Sequence, residues 1–247
     1  MLAASMALLL ALGCYWLFLK GKLADRLGVH QRGRRASYLF WVAKSAALFV
    51  APTLLILACL GALGSLIVMP RAFADAALQL GVTPGGAMQD TGFLFAVVGG
   101  LAGGALLGAI VARMQRKRGR RPWMIGDLRS ILPATRAELP YAAGIAVAAG
   151  ISEELFFRLL LPLLIGVLSG SALFGFAVSA LLFAGAHRYQ GWKGMAGSGA
   201  LAVIFTVFYW MTASLWMTMA LHMLVDLNGL VLRPLVLGLR ASGDSRS

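Results

Sequence analysis

Acidic side chains are scarce in this chain. Nine Asp and Glu stand against 22 Lys and Arg, so each carboxylate can be placed and its position explained. Charge of either sign is scarce as well. Charged residues make up 13% of the 247 positions, while 60% are hydrophobic. A soluble domain carries roughly 25% charged residues, so a surface bathed in water on all sides is excluded and the apolar excess must face lipid. Cysteine is almost missing. Cys14 and Cys59 both lie inside apolar runs, which excludes a disulfide framework and a cysteine-rich metal site. The pattern His-Glu-x-x-His does not occur, which removes one common signature of a zinc protease. No basic stretch precedes the first apolar run and no clear cleavage site follows it. That run is therefore expected to be a retained span rather than a removed signal peptide.

What the chain does contain is a series of apolar runs, at 2–19, 38–69, 92–112, 139–168, 172–186, 196–211 and 215–232. A helix needs about 20 mostly apolar residues to cross a bilayer. The expected fold is all-α, a polytopic transmembrane helix bundle of about seven spans. An eighth would arise if Pro52 or Pro162 breaks one of the long runs. Basic residues gather between the runs. Lys20, Lys22, Arg26, Arg32, Arg34 and Arg35 form one cluster, and Arg113, Arg116, Lys117, Arg118, Arg120, Arg121, Arg129 and Arg136 another. With seven spans these clusters, the 188–193 loop and the C-terminal tail share one side, whereas the 69–91 loop sets Arg71 against Asp75 and Asp90 on the other. Cytoplasmic loops carry the excess of Lys and Arg, so the N-terminus is expected outside and the C-terminus in the cytoplasm. The net charge of +13 is then a matter of topology and anionic lipid, and no nucleic-acid partner is expected. The chain divides into N-terminal spans 1–3 (1–112), a basic linker (113–138), a second group of spans (139–232) and a polar tail (233–247). Gly99, Gly100, Gly103, Gly104 and Gly108 have small-xxx-small spacing, which predicts close helix packing.

Six of the nine acids, Asp25, Asp75, Asp90, Asp127, Glu138 and Asp244, fall in loops, at helix ends or in the tail. Glu153, Glu154 and Asp226 do not. They lie within apolar spans together with Arg158 and His222, and His187 sits at the end of another span. Ionisable groups at that depth cost several kcal/mol, so they usually face a bundle interior and serve function. Lys44, near the end of its span, is expected to snorkel to the interface. Glu154 and Arg158 are four apart and can pair along one helix face. Glu153 is rotated by about 100° and points elsewhere, free to act as a general base. His222 and Asp226 are also four apart, so Asp226 could fix the ring of His222. Phe183 and His187 share a face in the same way. Because His187 comes so late in its run, either the fifth helix extends past Ala186 or the site opens toward the cytoplasmic side.

The three pieces Glu153-Glu154-Leu155-Phe156-Phe157-Arg158, Phe183-Ala184-Gly185-Ala186-His187 and His222-Met223-Leu224-Val225-Asp226 read EExxxR, FxxxH and HxxxD. Their order and patterns resemble the CAAX protease and bacteriocin-processing (Abi) family, which includes the type II CAAX prenyl endopeptidases. The resemblance covers roughly 139–232. Each motif alone is weak, but three in order, each on a membrane span, are specific. The resemblance implies a helical intramembrane endopeptidase in which Glu153 and His187 position and deprotonate a water. His222 and the residue four after it would meet the developing oxyanion, so the catalytic set is Glu153, His187, His222 and Asp226. Glu154 and Arg158 would organise the site or hold the substrate. The sequence departs from the prenyl-processing pattern at Asp226, where those members usually carry Asn. An ionised Asp cannot donate a hydrogen bond to an oxyanion, so Asp226 either orients His222 or is itself protonated. CAAX specificity does not carry over.

No cofactor is expected. Zinc is the disfavoured alternative, with Glu153, His187 and His222 as a His₂Glu set. The expected partners are a membrane-associated protein or peptide substrate and the lipid bilayer, and the expected setting is the plasma (inner) membrane of a bacterium. Two rival readings stand beside the protease. One is a non-catalytic membrane scaffold or immunity protein of the same fold. The other, a proton-coupled transporter, predicts related halves about a midplane site and fits poorly with acids confined to the second half.

Overall fold

The structure is a computed structural model and describes residues 1–20, 27–120, 126 and 131–239. Lys22 and Arg26 of the first basic cluster with Asp25 between them, Arg121, Asp127 and Arg129 of the linker, and the tail from Arg240 lie outside the described residues. Those described form eight helices and no strand. Helix α1 is Leu2–Leu19 and α2 is Arg34–Cys59. The short α3, Arg71–Gln79, is followed by α4, Thr91–Lys117. Helix α5 runs over 139–169, α6 is Ala172–Ala186, α7 is Gly191–Thr212 and α8 is Leu215–Leu237.

Seven of these helices correspond to the seven expected runs. Five of them, α1, α2, α4, α7 (there counted from Arg188) and α8, are long and apolar enough to cross a membrane, and the protein is an integral membrane protein. The other two fall short for physical reasons. Helix α5 carries Glu153, Glu154 and Arg158, and α6 has only 15 residues, about 22 Å at 1.5 Å per residue.

Several boundaries differ from the sequence reading. The second run was expected to continue to 69, but α2 ends at Cys59, where Gly61 turns the chain at φ 65°. The 69–91 loop contains α3, which starts behind Pro70 and buries Phe73, Ala76 and Ala77 at helical spacing. Helix α4 runs on to Lys117, so the basic segment begins on a helix. Arg116 and Lys117 suit the negative end of its dipole, and Gly119 at φ 67° ends it. Among the described residues nothing packs closely against the glycine stripe of α4. A methyl group added at Gly99, Gly100, Gly103, Gly104 or Gly108 would meet nothing within 4 Å, and Ala112 is the only residue of α4 that is buried.

Neither Pro52 nor Pro162 breaks its helix. A π-helical turn lies just ahead of each: Ala46–Val50 before Pro52 and Leu155–Leu160 before Pro162. A third, Asn228–Leu232, precedes Pro234 in α8. A proline ring clashes with the carbonyl four residues back and offers it no N–H. Those carbonyls belong to Leu48, Arg158 and Leu230, all within the widened turns, where the i→i−4 ladder is already interrupted. The helix therefore passes through each proline.

Helix α5 forms the centre of the bundle, with α1 and α2 on one side and α6 and α8 on the other. Phe18, Phe49 and Phe156 stack in a column with ring centroids 4.4 and 4.5 Å apart. Helix α5 approaches α8 closely at Gly150. A Cβ there would come within 2.5 Å of Met223 Cγ and 3.0 Å of the Met219 carbonyl. Small residues allow such backbone contact. Gly150→Ala is expected to lower stability by about 1–3 kcal/mol through overpacking, measured as thermal unfolding in detergent. An unchanged melting temperature would show that the two helices can part freely.

Candidate active site

Three helices bring the six sequence-selected residues together. Helix α5 presents Glu153, Glu154 and Arg158 where its regular part ends at Glu154 and the π-turn begins at Leu155. Helix α6 stops at Ala186, so it does not extend, and His187 caps it with its backbone N–H on the Ala184 carbonyl. Helix α8 presents His222 and Asp226. The dependence on packing is clear at His222, since the contact of α8 with Gly150 of α5 lies one turn before the glutamates.

Glu154 is the hub. It is fully buried, and Arg158 Nε stands 3.2 Å from its Oε2. Its Oε1 accepts from His222 Nδ1 at 2.6 Å. The guanidinium of Arg158, 1% exposed, lies over the ring of Phe183 at 4.2 Å and near that of Phe205 at 5.4 Å. Cations favour aromatic faces when desolvated. Phe205 also lies 4.8 Å from the ring of His222. The partner that orients His222 is therefore Glu154, across the helix interface. Asp226 faces the other ring nitrogen, with Oδ2 3.6 Å from Nε2.

Glu153 is arranged differently. It is 6% exposed, and its Oε2 has no hydrogen-bond partner among the described residues. It stands 3.9 Å from His222 Nε2. His187 Nδ1 lies 2.9 Å from the Phe183 carbonyl. A carbonyl can only accept, so Nδ1 carries the hydrogen, and in the neutral ring Nε2 holds the lone pair. Glu153, His187, His222 and Asp226 all line one cavity of about 440 Å³, whereas Glu154 and Arg158 lie behind its wall. Trp41 of α2, Ile131 and Tyr189 also border the cavity, so it lies at the end of the bundle where α6 stops.

The metal alternative was Glu153, His187 and His222. Among the described residues no three of His, Cys, Asp and Glu are grouped so as to hold a metal ion. Both imidazoles direct Nδ1 to a protein oxygen, which leaves Nε2 as the nitrogen available to the cavity.

Residues 135–228 match the family model for the type II CAAX prenyl endopeptidase Rce1-like family. We call this segment the Rce1-like domain for that similarity. The domain contains all six site residues and helices α5 to α7, together with the first part of α8. Helices α1 to α4 lie outside it. No curated protein and no solved structure matches the chain. Rce1-like proteins form a family of membrane endopeptidases.

Sequence reasoning did not single out Phe205, Tyr189 or Gly150. Phe205 lies in an apolar run like any other core residue, and its contact with Arg158 exists only because α7 packs against the site. Tyr189, two residues after His187, stacks near it with ring centroids 6.1 Å apart. Adjacency to the FxxxH motif was the one signal available for it.

Proposed function

We propose that the Rce1-like domain is a metal-free intramembrane endopeptidase that hydrolyses a peptide bond of a membrane-associated protein or peptide. The observation that carries this reading is Glu153, a buried carboxylate with an unbonded oxygen in the cavity it shares with His187 and His222. Glu153 and Nε2 of His187 hold a water. As its oxygen attacks the scissile carbonyl carbon, its proton passes to Glu153. His222 has Nδ1–H on Glu154 and a second proton on Nε2, an imidazolium balanced by Glu154 and Asp226. From Nε2 it donates to the oxyanion as charge develops there, which is where electrostatic stabilisation counts most. Asp226 steadies that donor and does not itself donate. Collapse of the intermediate breaks the C–N bond, and the proton on Glu153 goes to the leaving amine.

The basic segments face the cytoplasm of a bacterium, the N-terminus lies outside, and the cavity mouth beside Tyr189 opens toward the cytoplasmic leaflet. Substrates are membrane-borne, and the Asp at position 226 speaks against a restriction to prenylated tails.

The test compares protein N-termini in membranes holding the wild type, Glu153→Ala or His187→Ala, with and without a zinc chelator. New N-termini confined to the wild type and insensitive to chelation are the expected result. Loss of these products under chelation would bring a metal into the mechanism. Identical N-termini in all three membranes would leave a scaffold of the same fold as the better reading.

A further inference from the structure

We propose that α1, which lies outside the Rce1-like domain, positions His187 through Tyr15 and Arg188. The proposal rests on the reading of His187 as part of the water-holding pair.

Two contacts bracket His187. Five residues before it, the Leu182 carbonyl accepts a hydrogen bond from the hydroxyl of Tyr15 at 2.8 Å. One residue after it, Arg188 reaches back to α1 and donates from Nη2 to the Leu19 carbonyl at 2.9 Å. The last turn of a helix leaves its carbonyls without intrahelical donors, and its end attracts cations. Two cations meet the end of α1. Lys44 donates to the Phe18 carbonyl at 2.7 Å instead of snorkelling freely, and Arg188 takes the next carbonyl. The end of α1 is thus a fixed post to which the chain beyond His187 is tied.

The contact on the near side of His187 is equally close. Tyr15 is 8% exposed, and its ring meets Phe157 edge-on at 6.1 Å. Phe157 meets Phe183 in turn at 5.3 Å. A Cβ added at Gly185 would lie 2.9 Å from the Tyr15 hydroxyl, so a glycine is needed where the tyrosine passes. The Phe183 carbonyl that holds His187 Nδ1 lies one residue beyond the Leu182 carbonyl that holds Tyr15. Unwinding of the final turn of α6 would break both bonds together. Helix α1 therefore fixes which nitrogen of His187 carries the hydrogen and where Nε2 points.

Tyr15 and Arg188 are positioning residues, so the test reads the imidazole directly. The full chain is labelled with ring-¹⁵N histidine in lipid nanodiscs. The chain has three histidines, and single His→Gln variants assign His30, His187 and His222. Wild type is expected to show His187 as the Nδ1–H tautomer. Tyr15→Phe and Arg188→Gln are expected to move that signal toward a mixture of tautomers, with Arg188→Lys restoring it. The same variants should slow the formation of Glu153-dependent products roughly tenfold or more, since displacements near 1 Å are that costly, with substrate half-saturation unchanged. Unmoved His187 signals overturn the proposal even if Glu153-dependent cleavage is present. Moved signals with an unchanged cleavage rate also overturn it. Moved signals in a chain that yields no Glu153-dependent product uphold the role of α1 and count against the protease reading.

Discussion

Glu153→Gln is expected to reduce proteolysis by about 10²–10⁴-fold, the range in which general acid–base groups contribute, without unfolding the protein. Gln keeps the size of the buried side chain and its place in the cavity wall. It removes the negative charge and the capacity to accept a proton from water. Glu153 makes no hydrogen bond from Oε2 among the described residues, and its nearest cation-forming neighbour is His222 at 3.9 Å. Little native structure therefore depends on its charge. The measurement is the initial rate of product formation in proteoliposomes on a substrate identified by its N-terminus, together with thermal unfolding of both proteins. A variant that keeps more than a tenth of the wild-type rate would remove Glu153 from the role of base.

Arg158→Ala is expected to act on the fold itself. Arg158 and Glu154 are both buried, and Glu154 also anchors His222 at 2.6 Å. Removing the guanidinium leaves a carboxylate with no exposure facing only a histidine. Breaking one side of a buried ion pair costs about 3–5 kcal/mol. It also leaves a void between Phe183 and Phe205, which the guanidinium now fills. Arg158→Lys is expected to recover only part of the loss, because an ammonium has neither the planar fork nor the flat face of Arg. Replacing both partners together, Glu154→Gln with Arg158→Met, should restore much of the stability, because no charge is then left uncompensated. Activity should not return, because an amide in place of the Glu154 carboxylate no longer balances the charge on His222. Thermal unfolding in detergent of the three variants checks the order. An Arg158→Ala protein as stable as the wild type would show that the pair carries no structural weight.

Much of this site could be read in the sequence for one reason. In a lipid-facing chain a charged residue away from the loops is conspicuous, so Glu153, Glu154, Arg158, His222 and Asp226 stood out individually. The pairing of Glu154 with Arg158 was also visible, since four residues is one helical turn. The bond from Glu154 to His222 was not visible. It joins residues 68 apart and exists because Gly150 lets α5 and α8 touch. Asp226 looked like the natural partner of His222 by spacing alone, but the stronger claim comes from another helix. Helix α3 was missed because nine residues between two spans resemble a loop. The glycines of α4 gave the right spacing for packing, yet among the described residues nothing comes within 4 Å of a methyl group placed on them. The π-turns leave no composition of their own, although a proline inside an apolar run marks where each one ends.

The charge on α5 bears on how the chain enters the bilayer in the first place. Each ionised residue at the centre of a helix opposes insertion by about 2.5–3.5 kcal/mol on the translocon scale, and α5 has three such residues over 153–158. Alone among the helices of the Rce1-like domain, it carries a charged cluster at its centre and so has the weakest claim on the membrane by itself. During synthesis Arg158 follows Glu154 within one turn and can neutralise it at once, but His222 is not yet made. Glu154 must wait 68 residues for its second partner, while α6 and α7 are laid down. The contact that prepares the active site is thus also the one that completes the anchoring of α5 during biosynthesis, and a helix made well after α5 secures the helix at the centre.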